Sequence, residues 1–554
     1  MTKNSTRRTK RIDIEKICPF CNASISENMG DHIKKEHGEE SYKLAVLKAK
    51  EKGIPDHRIG DLFNINFKRL ESIITEAYGV NISMLKKPKK IRTWEPNDFK
   101  EETTSVWSFR RRGGWATHDG RYRGNWSPYI PRNVILRYSD VGETVLDYFV
   151  GGGTTAVESK LLGRRCIAGD INPAAISLTK DNLNFEVPKI IAEKHPIYEP
   201  QLSVGDARHL VSIEEGTIDL ICAHPPYAGI ISYGTKVEGD LSSLDYDDFI
   251  NQMREVASES YRVLKRGREC VILIGDTRKK KHIIPIGFRT IDVFIDAGFR
   301  VKELIIKRQH NCKTTGFWYA NSIKHNFLLL AHEYLVVFEK PALQVSIERG
   351  RVSADNLNIS LAGKIPTVDK IDTVDTTSVW ILPGEEEEEY EDYVCRNVVK
   401  RYSDFQNYLE ARIEKIPHGQ IDLGLDGAEQ VKLIFIKSPC LNDNISASEA
   451  ASYPNRVKSF IETNLNHVGM DGFLVIQTRD VRINGYLAPL AKKLIDTLVH
   501  DNLWLKEIII TTANSQTISA ARRDGLSSDL HIAHQYLLVY EVHNSELSNK
   551  SNAI

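Results

Sequence analysis

The stretch "GETVLDYFVGGGTTAVESKLLGRRCIAGDINPAAI", residues 142–176, decides the fold. Val145 and Leu146 lead a strand into Asp147, three consecutive glycines make a tight turn, and "TTAVESKLLG" has the apolar spacing of a short helix closed by Gly163. "RRCIAGD" then reads as a second strand ending in Asp170. This is a βαβ unit, in which glycines bring the backbone close to a ligand at a helix N-terminus and an acid ending the second strand can bind ribose hydroxyls. Asp147 and Asp170 lie 23 residues apart, near the roughly 20 expected.

Taken alone, such a turn is compatible with a nicotinamide, a flavin or S-adenosylmethionine. A second stretch decides between them. In "CAHPPYAGIISYG", residues 222–234, an apolar strand runs into two prolines set between His224 and Tyr227. The joint occurrence of Phe149, Gly151, Gly153, Thr154 and Thr155 with a downstream "HPPY" resembles the S-adenosylmethionine-dependent methyltransferases that act on exocyclic amino groups of DNA bases. The resemblance covers roughly residues 103–340. It implies a Rossmann-like α/β sheet, with Asp147, Asp170 and Asn172 at the cofactor and Asp206, in "SVGDARHL", at its adenine.

The chemistry explains the prolines. An exocyclic amine is a poor nucleophile because its lone pair is delocalised into the base. It must be held in line with the methyl sulfonium and drawn towards tetrahedral geometry. By resemblance, the backbone carbonyl of Pro225, ahead of Pro226, and the side chain of His224 would accept the two amino hydrogens. A base inside a duplex is out of reach, so it must flip and stack on an aromatic ring, a task expected of Tyr227, with Trp318 or Tyr319 as an opposite wall. Family members carry aspartate or asparagine at the first position for adenine N-6 and serine for cytosine N-4, whereas this chain has His224. A neutral imidazole accepts one hydrogen bond and a protonated one accepts none, so activity is expected to fall as pH drops from about 8 to about 5.5. Serine-like neutrality slightly favours cytosine N-4. An RNA base methyltransferase is the alternative enzyme, and a zinc-dependent DNA-binding protein with a vestigial methyltransferase fold is the alternative from another class.

Other segments fit around this core. In "CPFCNASISENMGDHIKKEH" the spacing Cys18, Cys21, His32, His37 is C-x2-C-x10-H-x4-H, a tetrahedral zinc donor set able to stabilise a segment too small for its own core. "IPDHRIGDLFNINFKRLESIITEAYGV" reads as two amphipathic helices, either a helix-turn-helix or a packing hairpin. Asn125, Trp126 and Pro128 resemble a family element that covers the cofactor. Arg110, Arg111, Arg112, Arg121 and Arg123, interleaved with Trp115 and Tyr122, are candidate phosphate contacts, with Arg278 to Lys281 as a second cluster.

The second half repeats the first. "ETTSVWSF" returns as "DTTSVWIL", "RNVILRYSD" as "RNVVKRYSD" and "LAHEYLVVFE" as "IAHQYLLVYE", at separations of 273, 264 and 202 residues. The shrinking separation places a deletion in the middle, where the glycine loop and "HPPY" belong. There "KSPC" ends the corresponding strand, and "EEEEE" replaces the arginine run. The second copy is expected to be a degenerate methyltransferase-like domain that binds no cofactor, so that either copy resembles half of a dimer. The expected organisation is a C2H2-like zinc segment (1–50), a helical linker or helix-turn-helix (51–100), the catalytic domain (101–345), a linker (346–370), the degenerate copy (371–545) and a tail (546–554).

Composition bounds the rest. With 554 residues, 41% hydrophobic, the chain can form several cores. Lysine plus arginine equals aspartate plus glutamate at 74 each, so binding of double-stranded DNA must come from local patches. The start "MTKNSTRRTKR" has no apolar leader and no stretch has the length of a membrane span, so a cytoplasmic protein without membrane contact is expected. Eight cysteines make no disulfide framework at this length. The resemblance also implies a restriction enzyme or defence-system subunit as partner.

Overall fold

The computed structural model describes residues 17–25, 28–51, 54, 56–78, 88–97, 99–120, 122, 124–227, 239–279, 281–310, 321–322, 324–342, 357–361, 375–382, 387–403, 405, 407–415, 430–441, 445–513 and 529–543. Trp318, Tyr319, Arg121 and Arg123 lie outside these residues. Among the described residues no helix is long and apolar enough to cross a membrane.

The chain opens with three helices, α1 (Met29–Glu51), α2 (Asp56–Phe63) and α3 (Phe67–Tyr78). Helix α1 breaks at Gly38, whose φ of 81° only glycine adopts freely. One apolar cluster takes Cys18 and Ile25 from the cysteine loop, Ile33, Tyr42 and Val46 from α1, and Ile59, Phe63, Leu70 and Ile73 from the helices beyond. The cysteine loop and the helical pair therefore pack as one module, pinned by a hydrogen bond from the Tyr42 hydroxyl to the Phe63 carbonyl at 3.1 Å.

The next region alternates strand and helix. Its elements are β1 (Val106–Ser108), α4 (Tyr129–Tyr138), β2 (Thr144–Asp147), α5 (Thr154–Leu161), β3 (Arg165–Asp170), α6 (Pro173–Leu183), β4 (Gln201–Val204), β5 (Ile218–Ala223), α7 (Tyr246–Val263), β6 (Leu264–Ile274), α8 (Ile286–Asp296), β7 (Arg300–Arg308) and β8 (His332–Lys340). They form an eight-stranded sheet in the order β1-β7-β8-β6-β5-β2-β3-β4. Strands β4, β3, β2, β5 and β6 run parallel, and β8 is antiparallel to both β6 and β7. Every residue of β5 is buried, as a strand covered by helices on both faces must be. This is the Rossmann-like α/β sheet that the resemblance implied.

The second copy contributes β9 (Leu357–Leu361), β10 (Val379–Leu382), α9 (Glu387–Ser403), β11 (Tyr408–Lys415), β12 (Val431–Lys437), α10 (Ala447–Asn464), β13 (Val468–Thr478), α11 (Leu490–Thr497), β14 (Leu503–Ala513) and β15 (His534–Val542). Its sheet order is β9-β11-β12-β13-β15-β14-β10. Strand for strand this reproduces the first sheet from β1 to β2. In the place of β3 stands β9, which pairs antiparallel to β11. The strand that ends in Asp170 thus has no parallel counterpart, and the stretch 346–370 read as linker supplies the substitute edge.

The two copies meet reciprocally. Ser105 Oγ lies 2.7 Å from Nδ1 of His534, and Ser378 Oγ lies 2.8 Å from Nδ1 of His332. Arg482 binds Glu303 at 2.7 Å and the carbonyls of Lys302 and Leu530, while Arg278 binds Glu507 and the carbonyls of Lys506 and Leu328. The repeated "TTSVW" is therefore the contact each copy makes on the other. A single apolar cluster, including Phe288, Tyr334, Leu490 and Tyr536, runs through both sheets.

Candidate active site

Adjacent parallel strands bring the two sequence motifs together. Leu146 of β2 pairs with Ile221 of β5, so the glycine turn after Asp147 and the prolines after Ala223 leave the same sheet edge side by side. Ligands in open α/β sheets bind at this carboxyl edge, where the strand order reverses. A cleft opens at this edge. Phe149, Gly151, Asp170, Asn172, Asp206, His224 and Pro226 line it, together with Tyr122, Asn125, Trp126 and Asp240.

The cofactor end is built around the glycines. Gly151 and Gly153 have φ of 51° and 85°, and Gly153 sits at the N-cap of α5. A Cβ on Gly153 would meet the Thr179 side chain at 2.8 Å. Helix α6 holds the turn from behind, with Thr179 donating to the Gly151 carbonyl at 3.0 Å and Asn182 to that of Gly152 at 2.9 Å. Asp170 accepts from the N–H groups of Gly151 at 2.9 Å and Asn172 at 2.8 Å. Burial nonetheless lifts its carboxyl to about 6. Asn172 caps α6 by accepting from the Ala174 N–H.

Several expected residues act from behind the cleft. Asp147 is fully buried, accepts from the Phe149 N–H at 3.0 Å and is raised to about 7 by burial. Thr154 donates to Asn125 at 2.6 Å, tying the covering segment to α5, and Thr155 is buried. Asp206 reaches the cleft, but Arg208 holds both its oxygens. The expected basic runs are partly turned inward: Arg112 donates to the Trp126 carbonyl at 3.0 Å and Arg278 to Glu507, because buried acceptors at those places need a donor. Arg110, Arg111, Lys279 and Lys281 remain exposed.

At the substrate end the His224 ring stacks on Trp126, with centroids 5.4 Å apart and planes at 22°. Its Nε2 lies 3.0 Å from the Tyr227 hydroxyl, which donates to Glu333 at 2.7 Å. Lys307 donates to the other Glu333 oxygen at 2.7 Å. Tyr227 was expected to present its ring to a flipped base, and its hydroxyl is held by Glu333. Trp126 lines the cleft beside His224. Burial, opposed by Glu333, pushes His224 down to about 4. The expected loss of activity between about pH 8 and 5.5 through His224 is therefore corrected: the imidazole stays neutral across that range.

In the N-terminal module, Cys18 Sγ lies 3.4 Å from His37 Nε2 and Cys21 Sγ 3.5 Å from His32 Nε2. All four donor atoms fall within 4.8 Å of one another, as tetrahedral zinc coordination requires. Burial raises the Cys18 thiol, but hydrogen bonds from Phe20 and Cys21 outweigh it and the net shift is downward, towards the thiolate a metal binds.

The DNA methylase model of the N6/N4 class matches residues 37–181 and 218–408. The chain belongs to the DNA methylase family. Among curated relatives, this methylase is 30% identical over 147 residues to the type II methyltransferase M.MthZI of Methanothermobacter thermautotrophicus, a match covering 23% of the chain and 41% of the relative. It is 29% identical over 139 residues to a tRNA (guanine(10)-N2)-dimethyltransferase of the same organism, covering 25% and 37% respectively. The chain thus spans well under half the length of these relatives. Among solved structures, a SAM-dependent methyltransferase of Methanosarcina mazei aligns over 38% of this chain and 98% of its own, at 14% identity and a TM-score of 0.26.

The reading from sequence missed Glu333, Lys307 and Asp240. A signal existed for the first: the repeat carries Glu333 as Gln535, so the acid belongs only to the copy that keeps "HPPY".

Proposed function

We propose that this DNA methylase transfers a methyl group from S-adenosylmethionine to an exocyclic amino group of a base flipped out of double-stranded DNA. One observation carries the reading: a single cleft is lined by the glycine turn and Asp170 at one end and by His224 and Pro226 at the other. When bound, S-adenosylmethionine would supply the electrophilic methyl. Gly151, Asp170 and Asn172 would hold its ribose and methionine parts, and Asp206 would sit at its adenine. His224 and the Pro225 carbonyl would take the two amino hydrogens and orient the lone pair, and Trp126 would stack on the base. A neutral His224 resembles serine in accepting without charge, so cytosine N-4 is favoured over adenine N-6. We further propose that Cys18, Cys21, His32 and His37 hold a structural zinc ion.

The match to a tRNA guanine-N2 enzyme supports an RNA base as the second reading. One experiment separates them: purified protein with isotopically labelled S-adenosylmethionine and duplex DNA or transfer RNA, followed by nucleoside mass spectrometry, with His224→Ala alongside. Label in 4-methylcytosine or 6-methyladenine that vanishes in the variant is the expected result. Label confined to RNA overturns the DNA reading.

A further inference from the structure

The strand that carries Glu333 lies behind the catalytic tetrapeptide, and its chemistry determines the state of His224. Glu333 is buried at 7% exposure. Burial opposes its ionisation, but the Lys307 ammonium at 2.7 Å outweighs that and holds it at about 2, so it is a carboxylate that only accepts. The Tyr227 hydroxyl has one proton, which goes to Glu333. Its oxygen can then only accept from His224, 3.0 Å away, and the proton of the neutral imidazole must sit on Nε2. Among the described residues Nδ1 has no hydrogen-bond partner, and His224 forms part of the cleft wall.

We propose that Glu333 is a positioning residue that, acting through Tyr227, fixes the proton of His224 on Nε2 and so offers Nδ1 to the cleft as the acceptor for the target amino group. The last clause rests on the function proposed above. The repeat supplies independent support. Register places Glu333 opposite Lys307, and the same register in the second copy pairs Gln535 with Thr511. His224 and Tyr227 correspond there to Lys437 and Cys440. All members of the chain from lysine to imidazole are missing together from the copy that lacks the glycine turn. A purely structural role would not require this, since both copies keep the neighbouring His–Tyr pairs, His332 with Tyr334 and His534 with Tyr536.

The test reads the tautomer directly. In the full chain labelled with 15N-histidine, the ring nitrogens of His224 are assigned by the signals lost in His224→Gln. The wild type is expected to show a protonated Nε2 and a bare Nδ1. In Glu333→Gln the amide oxygen faces Lys307 and the amide nitrogen donates to Tyr227, whose own proton then turns to His224. The imidazole proton should move to Nδ1, and kcat should fall at least about tenfold while the calorimetric affinity for S-adenosylmethionine stays unchanged. A wild-type proton on Nδ1, a wild-type mixture, or an unchanged tautomer in Glu333→Gln overturns the proposal. If Glu333→Gln fails to fold, Tyr227→Phe decides: loss of the single tautomer supports the proposal and its retention overturns it. The spectrum needs no substrate, so the expected tautomer in a protein that methylates no nucleic acid would sink the proposed function and leave the assignment of the proton standing.

Discussion

Consider removing the guanidinium of Arg482 by Arg482→Met. Glu303, at 2% exposure, would keep the N–H of Leu530 at 3.0 Å but lose its only ionic partner among the described residues. Breaking a buried pair from one side typically costs about 3–5 kcal/mol because a bare charge stays behind. The carboxylate has an escape, which sets a ceiling. Protonating a carboxyl with an ordinary value near 4.3 costs about 3.7 kcal/mol at pH 7 but only about 1.6 kcal/mol at pH 5.5. The loss of stability should therefore be about 3–4 kcal/mol at pH 7 and shrink to below about 2 kcal/mol at pH 5.5. Adding Glu303→Gln should recover much of it at pH 7, since the amide carries no charge and its oxygen can still accept from the Leu530 N–H. Urea unfolding of the wild type and the two variants at both pH values, followed by tryptophan fluorescence, measures this. A loss under about 1 kcal/mol at pH 7, or one independent of pH, would refute the view that this reciprocal contact is a desolvated ion pair.

Four further outcomes are expected. Gly153→Ala forces a side chain onto a φ of 85° and against Thr179, so the affinity for S-adenosylmethionine measured by calorimetry should drop by about tenfold or more with circular dichroism unchanged. In its proposed role Asp170 accepts from ribose most strongly as the carboxylate, and its value of about 6 means that the cofactor dissociation constant should rise, by up to about tenfold, between pH 7.5 and 5; at saturating cofactor kcat should stay level from about pH 8 to 5.5, whereas an imidazole of ordinary value would have lost about nine-tenths of its neutral form. Metal analysis should find a zinc ion that is lost in Cys21→Ser, with hydrogen-exchange protection of the three N-terminal helices falling as it goes.

Much of the site was legible because its chemistry is contiguous in sequence. Three glycines after Asp147 and two prolines after His224 each announce a backbone shape, and the repeated "TTSVW" and "RYSD" announce the duplication. What could not be read depends on partners far along the chain. The Tyr227 hydroxyl is tied to Glu333, a buried acceptor 106 residues later. Arg278 leaves the basic surface because Glu507, 229 residues later, needs its charge. "LNISL", residues 357–361, is too short to stand out as a strand, and becomes one only because β11 has an open edge.

The reciprocal contact between the copies has a consequence for stoichiometry. A two-fold assembly with two equal clefts faces both strands of a palindromic duplex alike. Here the two-fold contact persists while the glycine turn and the "HPPY" strand end stand in one half alone, so the chain is handed. Under the proposed activity it delivers one methyl group per engagement, to one strand, and the other half is free to differ in what it touches without altering the chemistry.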